Sequence, residues 1–290
     1  MILHIHQFDS IPVIAFSAGY SGPPVSLFDH ADHTFWIGSS VLDARLYLRK
    51  AAFRLSRRRS LQAYRNIKFY YPVASPFRDR DFIMSKEQAR TELGIPKGKT
   101  LLLSMASSYK FNPILLEMVT PIIDKHDDVL WYLFGPDSWN STLQNKFNNE
   151  KVKIFPANAG DEGSYLYHIA ADIHIDSFPF TSLTSALETI REEGVVLSFC
   201  PWPSVNDLIL CIEPSDYAAE ASILTCPSVN SYAEKLDELL TSRETLAGLQ
   251  KYGSIAMRKH DKTEWTLGMD EVRLRLGIKC TCTAHRMKCF

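Results

Sequence analysis

The chain has 290 residues, 46% of them hydrophobic and 22% charged, an ordinary composition for a soluble globular protein. Its formal net charge is −1, so overall charge selects no nucleic-acid partner. No apolar run reaches the roughly 20 residues of a membrane span, and the length is enough for two domains.

The N-terminal stretch MILHIHQFDS lacks the basic start and long apolar run of a secretory leader, and the six cysteines suggest no secreted disulfide framework, so a cytoplasmic chain is expected. Val13–Phe16 and Val25–Phe28 are short, β-rich and bounded by Gly and Pro, and read as buried strands. The motif DHADH follows, with Asp29, His30, Asp32 and His33. Leu42–Leu61 reads as a basic helix, and IKFYYPVASP as a strand running into a Pro-marked connection. From Val41 to Arg80 there are eleven Lys or Arg and two acids. Such a block is either a solvated face or a contact for phosphates or an anionic membrane surface.

A second unit starts near Ser85. In SKEQARTELGIP, Ser85 is a good N-cap, Glu87 and Gln88 sit in the first turn, and Gly94 closes the helix before Pro96. TLLLSMAS is a strand, NPILLEMVTPIIDKH a helix with Pro121 inside it, and DVLWYLFGP and VKIFPAN are strands. YLYHIAA is a short helix, DIHIDSFP a strand, SLTSALETIREE a helix and VVLSFCP a strand. Final helices run from Ser231 to about Arg275. This alternation predicts a Rossmann-like parallel sheet with helices on both faces. Ligands of such folds bind at the carboxyl ends of the strands. Residues there include Ser107 to Lys110, Gly135 to Asp137, and the stretch after Asp176.

In that last stretch the helix begins near Thr181–Thr184. Four N–H groups at a helix start lack intrahelical partners, and the helix dipole adds positive character. Thr181, Ser182, Thr184 and Ser185 add hydroxyls, so the segment is built either as a plain cap or to hold a diphosphate. Glu188 lies one turn beyond Thr184 and is either a surface residue or an acceptor for ribose hydroxyls.

DHADH has three readings: a metal site, acid–base chemistry by a His tuned by Asp, or satisfaction of backbone groups at a strand end. Metal is disfavoured, because no third cluster lies at suitable spacing. Cys200 and Cys211 lie in apolar runs and read as buried thiols. Cys280, Cys282, His285 and Cys289 could ligate zinc, but the Cys-x-Cys spacing is tight, and an unstructured tail is expected.

Asp176, Ser177, Pro179, Thr184, Ser185, Glu188 and Gly194-Val195-Val196 resemble a motif of GT-B glycosyltransferases, notably those related to O-linked N-acetylglucosamine transferases. LLLSMASSYKFNP, WYLFGPD and KHDKTEWTLGMDEVRLRL are similar to further family segments in the same order. FDHADHTFWIG resembles a segment of bacterial group 1 sugar transferases. Ser182-Leu183 stands where the family has small residues, and one extra residue precedes Gly194.

The resemblance implies a GT-B type α/β fold. Residues 1–80 would form an incomplete acceptor-side α/β domain, 81–276 the nucleotide-sugar donor domain, and 277–290 a tail. It implies metal-independent transfer, without a cofactor, from a nucleotide sugar, expected to be UDP-linked, to a glycan, lipid or protein acceptor. The diphosphate would meet Lys110, Thr181, Ser182, Thr184 and Ser185; the ribose and base would meet Glu188, Gly135 and Asp137. His30, Asp32 and His33 would supply the acid–base chemistry. Two alternatives remain at this point: a non-catalytic remnant or partner subunit that still binds nucleotide, and a nucleotide-sugar epimerase.

Overall fold

A computed structural model describes residues 1–17, 19–30, 35–47, 56–57, 65–68, 84–136, 145–147, 149–156, 163–182, 184–201, 223–257 and 274. The chain divides into two compact units, Met1–Tyr71 with Lys262–Phe290, and Pro72–Asp261. Asp32, His33, Asp137, Leu183, Cys211 and the Cys/His tail lie outside the described residues.

The first unit carries a parallel sheet in the order β1-β2-β3-β4, formed by Ile2–Leu3, Ser26–Asp29, Ala44–Tyr47 and Arg65–Lys68. The β2 strand agrees with the sequence reading. Residues Val13–Phe16 do not: Ile11–Ala15 is a short helix, α1. Pro12 suits a first helical turn, and the Asp9 carboxylate accepts from the Ile11 N–H at 3.0 Å, so local chemistry overrides β propensity here. The basic helix expected over Leu42–Leu61 begins instead as β3, and most of its remaining residues lie outside those described.

The reason lies in Arg45, which is buried rather than solvated. Its Nε and Nη2 donate to Asp29 Oδ2 at 2.7 and 2.6 Å, while Trp36 Nε1 donates to Asp29 Oδ1 at 2.9 Å. A buried charge is tolerated only with such a partner, and no local sequence pattern announces one across two strands.

The second unit is a six-stranded, all-parallel sheet in the order β10-β9-β8-β5-β6-β7. Its strands are β5 (Thr100–Met105), β6 (Val129–Phe134), β7 (Val152–Phe155), β8 (Ile173–Ile175), β9 (Val195–Phe199) and β10 (Ile223–Cys226). This is the doubly wound order, with the topological switch between β5 and β8. Its helices are α2 (Lys86–Glu92), α3 (Ile114–Ile123), α4 (Ser164–Ala170), α5 (Thr184–Arg191) and α6 (Val229–Thr241), with further helical turns over 243–257.

The strands alternate between two cores, as period-2 geometry requires. Leu102, Trp131, Ile173, Ile175, Val195 and Leu197 pack on α3 and α6. Leu101, Leu103 and Leu130 pack with Ala89 of α2 and Ala170 of α4, and Val196 with Ala186, Leu187 and Ile190 of α5. The α2 start follows the sequence closely. Ser85 Oγ accepts from the Gln88 N–H, and the Gln88 side chain returns to the Ser85 N–H, a capping box.

Two backbone positions set the loops at the carboxyl edge. Gly135, directly after β6, has φ +125°, and a Cβ there would lie 1.9 Å from the Ala106 carbonyl oxygen. Helix α5 ends in a Schellman arrangement, with Gly194 N–H on Thr189 O at 2.7 Å and Glu193 N–H on Ile190 O at 3.2 Å. Glu193 occupies the left-handed position, φ 67°, that glycine usually takes. The extra residue before Gly194 is thus part of the helix stop. Glu192 and Glu193 sit a helix length, about 12 Å, from the start of α5. Opposite outcomes are expected for two substitutions in urea unfolding: Gly135→Ala should cost about 2–3 kcal/mol, and Glu193→Gly should stabilise by about 0.5–1 kcal/mol.

Candidate functional site at the sheet switch point

The loops that follow β5 and β8 flank the switch. After β5 the chain makes a 3-10 turn over Ser108–Lys110, closed by the Lys110 N–H on Ser107 O at 2.9 Å. Phe111 then forms an isolated antiparallel bridge with Pro179, which lies beyond β8. Across the same junction Lys110 Nζ donates to the Thr181 carbonyl at 2.9 Å, and the Tyr109 and Phe180 rings lie 6.4 Å apart. Beneath, the Ser104 hydroxyl of β5 donates to Ile175 O at 2.7 Å and accepts from Trp131 Nε1 at 3.0 Å, pinning β8 to β5.

Asp176 organises the β8 loop. Its buried carboxylate accepts from the N–H of Ser177 at 2.9 Å, the N–H of Ser182 at 2.8 Å and the hydroxyl of Ser182 at 2.7 Å. The hydroxyls of Thr181, at 2.8 Å, and Ser198, at 3.1 Å, complete its shell. The Thr181 and Ser182 hydroxyls, expected from sequence to face a phosphate, are therefore turned inward, and both residues are buried. Tyr232 lies in the same buried layer; burial pushes its phenol well above its usual pKa, with Cys226 and Asp176 adding to the effect.

The start of α5 is differently disposed. Thr184 is exposed, while the Ser185 hydroxyl is buried with no hydrogen-bond partner among the described residues. Four residues on, Glu188 lies on the same helical face and is about two-fifths exposed, with a carboxylate oxygen 3.2 Å from Nε2 of the buried His168. The structure thus brings Lys110, Thr181, Ser182 and the α5 start to one edge of the sheet. Gly135 ends β6, next to the β5 loop, where its missing side chain permits the close approach to Ala106.

His30 belongs to the first unit. It is exposed directly after β2, with its ring 4.5 Å from His4 and 5.4 Å from Trp36. Of the DHADH motif, Asp29 has the structural role described above.

Sequence reasoning missed two histidines. His174 is fully buried in β8, its Nε2 2.9 Å from Ser182 Oγ and its Nδ1 3.1 Å from Thr189 Oγ1. His168 Nδ1 meets the same Thr189 oxygen at 2.9 Å. The available signal was IHID itself: a histidine between isoleucines in a strand covered on both faces must find protein partners.

Burial, with His168 adding, lowers the His174 pKa from 6.5 to about 3. The folded protein therefore resists protonating it, whereas the unfolded chain protonates it below 6.5, so its stability contribution is complete above pH 6.5 and lost as pH falls toward 3. Between pH 6.5 and 4, wild-type stability should fall more steeply than that of His174→Gln, by up to about 1.4 kcal/mol per pH unit. Parallel curves from urea melts would show that His174 is not held neutral.

Among solved structures the chain has the fold of GT-B glycosyltransferases. It is similar to WaaG, a glycosyltransferase involved in lipopolysaccharide biosynthesis, with TM-score 0.58 and 15% identity over 79% of this chain and 62% of that one. A mutant O-GlcNAc transferase from Thermobaculum terrenum gives TM-score 0.59 and 12% identity, covering 88% of this chain and 48% of the other. Sucrose-phosphate synthase from Thermosynechococcus elongatus gives 0.61 and 13%, covering 91% and 76%. The chain spans about three fifths of the first of these proteins and about half of the second. At such identities the likeness is one of fold. No protein-family profile matches the sequence, and comparison with curated proteins finds no match.

Proposed function

We propose that this chain is a glycosyltransferase that binds a nucleotide sugar, UDP-linked in our reading, at the switch point of its second unit and transfers the sugar to a glycan, lipid or protein acceptor. The observation that carries the reading is the meeting of Lys110 with the loop that leads into α5, at the edge where doubly wound sheets take their ligands. The GT-B fold supports it.

In this reading Lys110, the first N–H groups of α5, and the Thr184 and Ser185 hydroxyls receive the diphosphate. An ammonium carries three donors, a helix start offers N–H groups without intrahelical partners, and the Ser185 hydroxyl gains a partner that it lacks among the described residues. Thr181 and Ser182 act by shaping the loop through Asp176. Glu188 accepts from ribose hydroxyls, and the base lies toward Gly135 and Asp137. As the glycosidic bond breaks, charge grows on the leaving diphosphate and is met by groups already in place, which is electrostatic preorganisation. His30, with Asp32 and His33, takes the proton of the acceptor hydroxyl in this reading.

Among the described residues no helix is long and apolar enough to cross a membrane. We place the activity in the cytoplasm, with the basic residues of the 41–80 block other than the buried Arg45 as a contact for anionic lipid.

Calorimetric titration of the full chain with UDP, GDP and their sugars tests the reading. At least one nucleoside diphosphate should bind. Lys110→Met should weaken the diphosphate about tenfold, near 1.4 kcal/mol, and leave the bare nucleoside unchanged. Failure of every nucleotide to bind would overturn the proposal.

A further inference from the structure

An unbroken chain of hydrogen-bonding groups runs beneath the loop from Glu188 to Asp176. Its links are Glu188 to His168 Nε2 at 3.2 Å, His168 Nδ1 to Thr189 Oγ1 at 2.9 Å, and Thr189 Oγ1 to His174 Nδ1 at 3.1 Å. Then come His174 Nε2 to Ser182 Oγ at 2.9 Å and Ser182 Oγ to Asp176 Oδ1 at 2.7 Å. His168, His174, Thr189, Ser182 and Asp176 are all buried; Glu188 alone reaches the surface. Gly194 makes the centre possible, because a Cβ there would come within 2.3 Å of the Thr189 methyl.

The order of the protons follows from the end that cannot donate. Asp176 is a carboxylate, and its 2.7 Å contact requires the Ser182 proton. Ser182 Oγ must then accept, so His174 bears its proton on Nε2 and leaves Nδ1 bare. The bare nitrogen takes the single Thr189 proton. Donation by Thr189 to Ser185 O at 3.1 Å instead would leave one face of His174 unpaired. Thr189 in turn accepts from His168 Nδ1–H, and His168 Nε2 lies 3.2 Å from the Glu188 carboxylate. Two hydroxyls, of Thr189 and Ser182, and the neutral His174 imidazole thus carry a fixed donor direction from His168 to Asp176.

We propose that His168 is a positioning residue for ligand recognition: it holds the Glu188 carboxylate at the surface and, through Thr189, His174 and Ser182, couples it to the Asp176 loop, so that the ribose and diphosphate ends of a nucleotide bind cooperatively. This rests on reading the site as one for a nucleoside diphosphate. An apolar core would fill the same space without two histidines converging on one hydroxyl. The arrangement gives both ligand-facing segments, the α5 face and the β8 loop, a common internal support.

Two measurements test it. UDP affinity is measured for wild type, Glu188→Gln, Ser182→Ala and the double variant, and again with Thr189→Val in each. The two substitutions should be non-additive by on the order of fivefold with Thr189 present and additive within about twofold with Thr189→Val; Thr189→Ser, which keeps the hydroxyl, should restore the coupling. Additivity in both backgrounds would overturn the coupling while leaving nucleotide binding intact.

The second measurement needs no ligand and no core substitution. Nitrogen-15 shifts of the imidazoles in the wild-type chain should show His174 as the neutral tautomer protonated on Nε2, and His168 protonated on Nδ1. The opposite His174 tautomer would overturn the relay. If UDP fails to bind at all, the nucleotide reading falls, and the tautomer result still decides whether the relay exists.

Discussion

The second unit depends on what the Asp176 carboxylate holds together. It is buried at the end of a central strand and receives five hydrogen bonds from a loop and the neighbouring strand. A buried carboxylate without such a shell would cost several kcal/mol, so the loop is held to one conformation by the demand of that charge. That conformation presents the Thr181 carbonyl to Lys110 and delivers the chain into α5. The loop geometry is therefore set from beneath, by a group that does not itself face solvent.

The sheet order gives this constraint a use. At the switch between β5 and β8 the neighbouring connections run to opposite faces, which opens a crevice at the carboxyl edge. Here the two flanking loops are joined across the switch by the Phe111–Pro179 bridge and by Lys110. Gly135 lets the next loop approach the first closely. Cationic and N–H donors thus converge where a fold of this class takes its ligands, with the acceptor Glu188 one turn away. Such a division suits a molecule with an anionic centre and a hydroxyl-bearing end.

Much of this was legible in the sequence where the signal is local. The Ser85 N-cap and the apolar strands β5 to β9 were recoverable because caps and β runs depend on neighbouring residues, whereas β10 was not read from the sequence. The grouping of Lys110 with the α5 start followed from their places after strands and from the family resemblance. What could not be read was decided by distant partners. Arg45 looks like part of a basic helix until Asp29 is seen beside it. Ile11–Ala15 is β-rich in composition yet helical, through Pro12 and the Asp9 side chain. The hydroxyls of Thr181 and Ser182 resemble ligand groups in a linear motif, but their partner lies five and six residues upstream, inside the protein. His168 and His174 come from different elements and meet only through Thr189.

The most direct test of the central claim is a crystal structure of the full chain with UDP bound. The account predicts the β-phosphate within hydrogen-bond reach of Lys110 Nζ and the first N–H groups of α5, with a ribose hydroxyl on Glu188 and Asp176 keeping its five donors. Nucleotide bound elsewhere on the chain, with Lys110 and Glu188 both uninvolved, would contradict it.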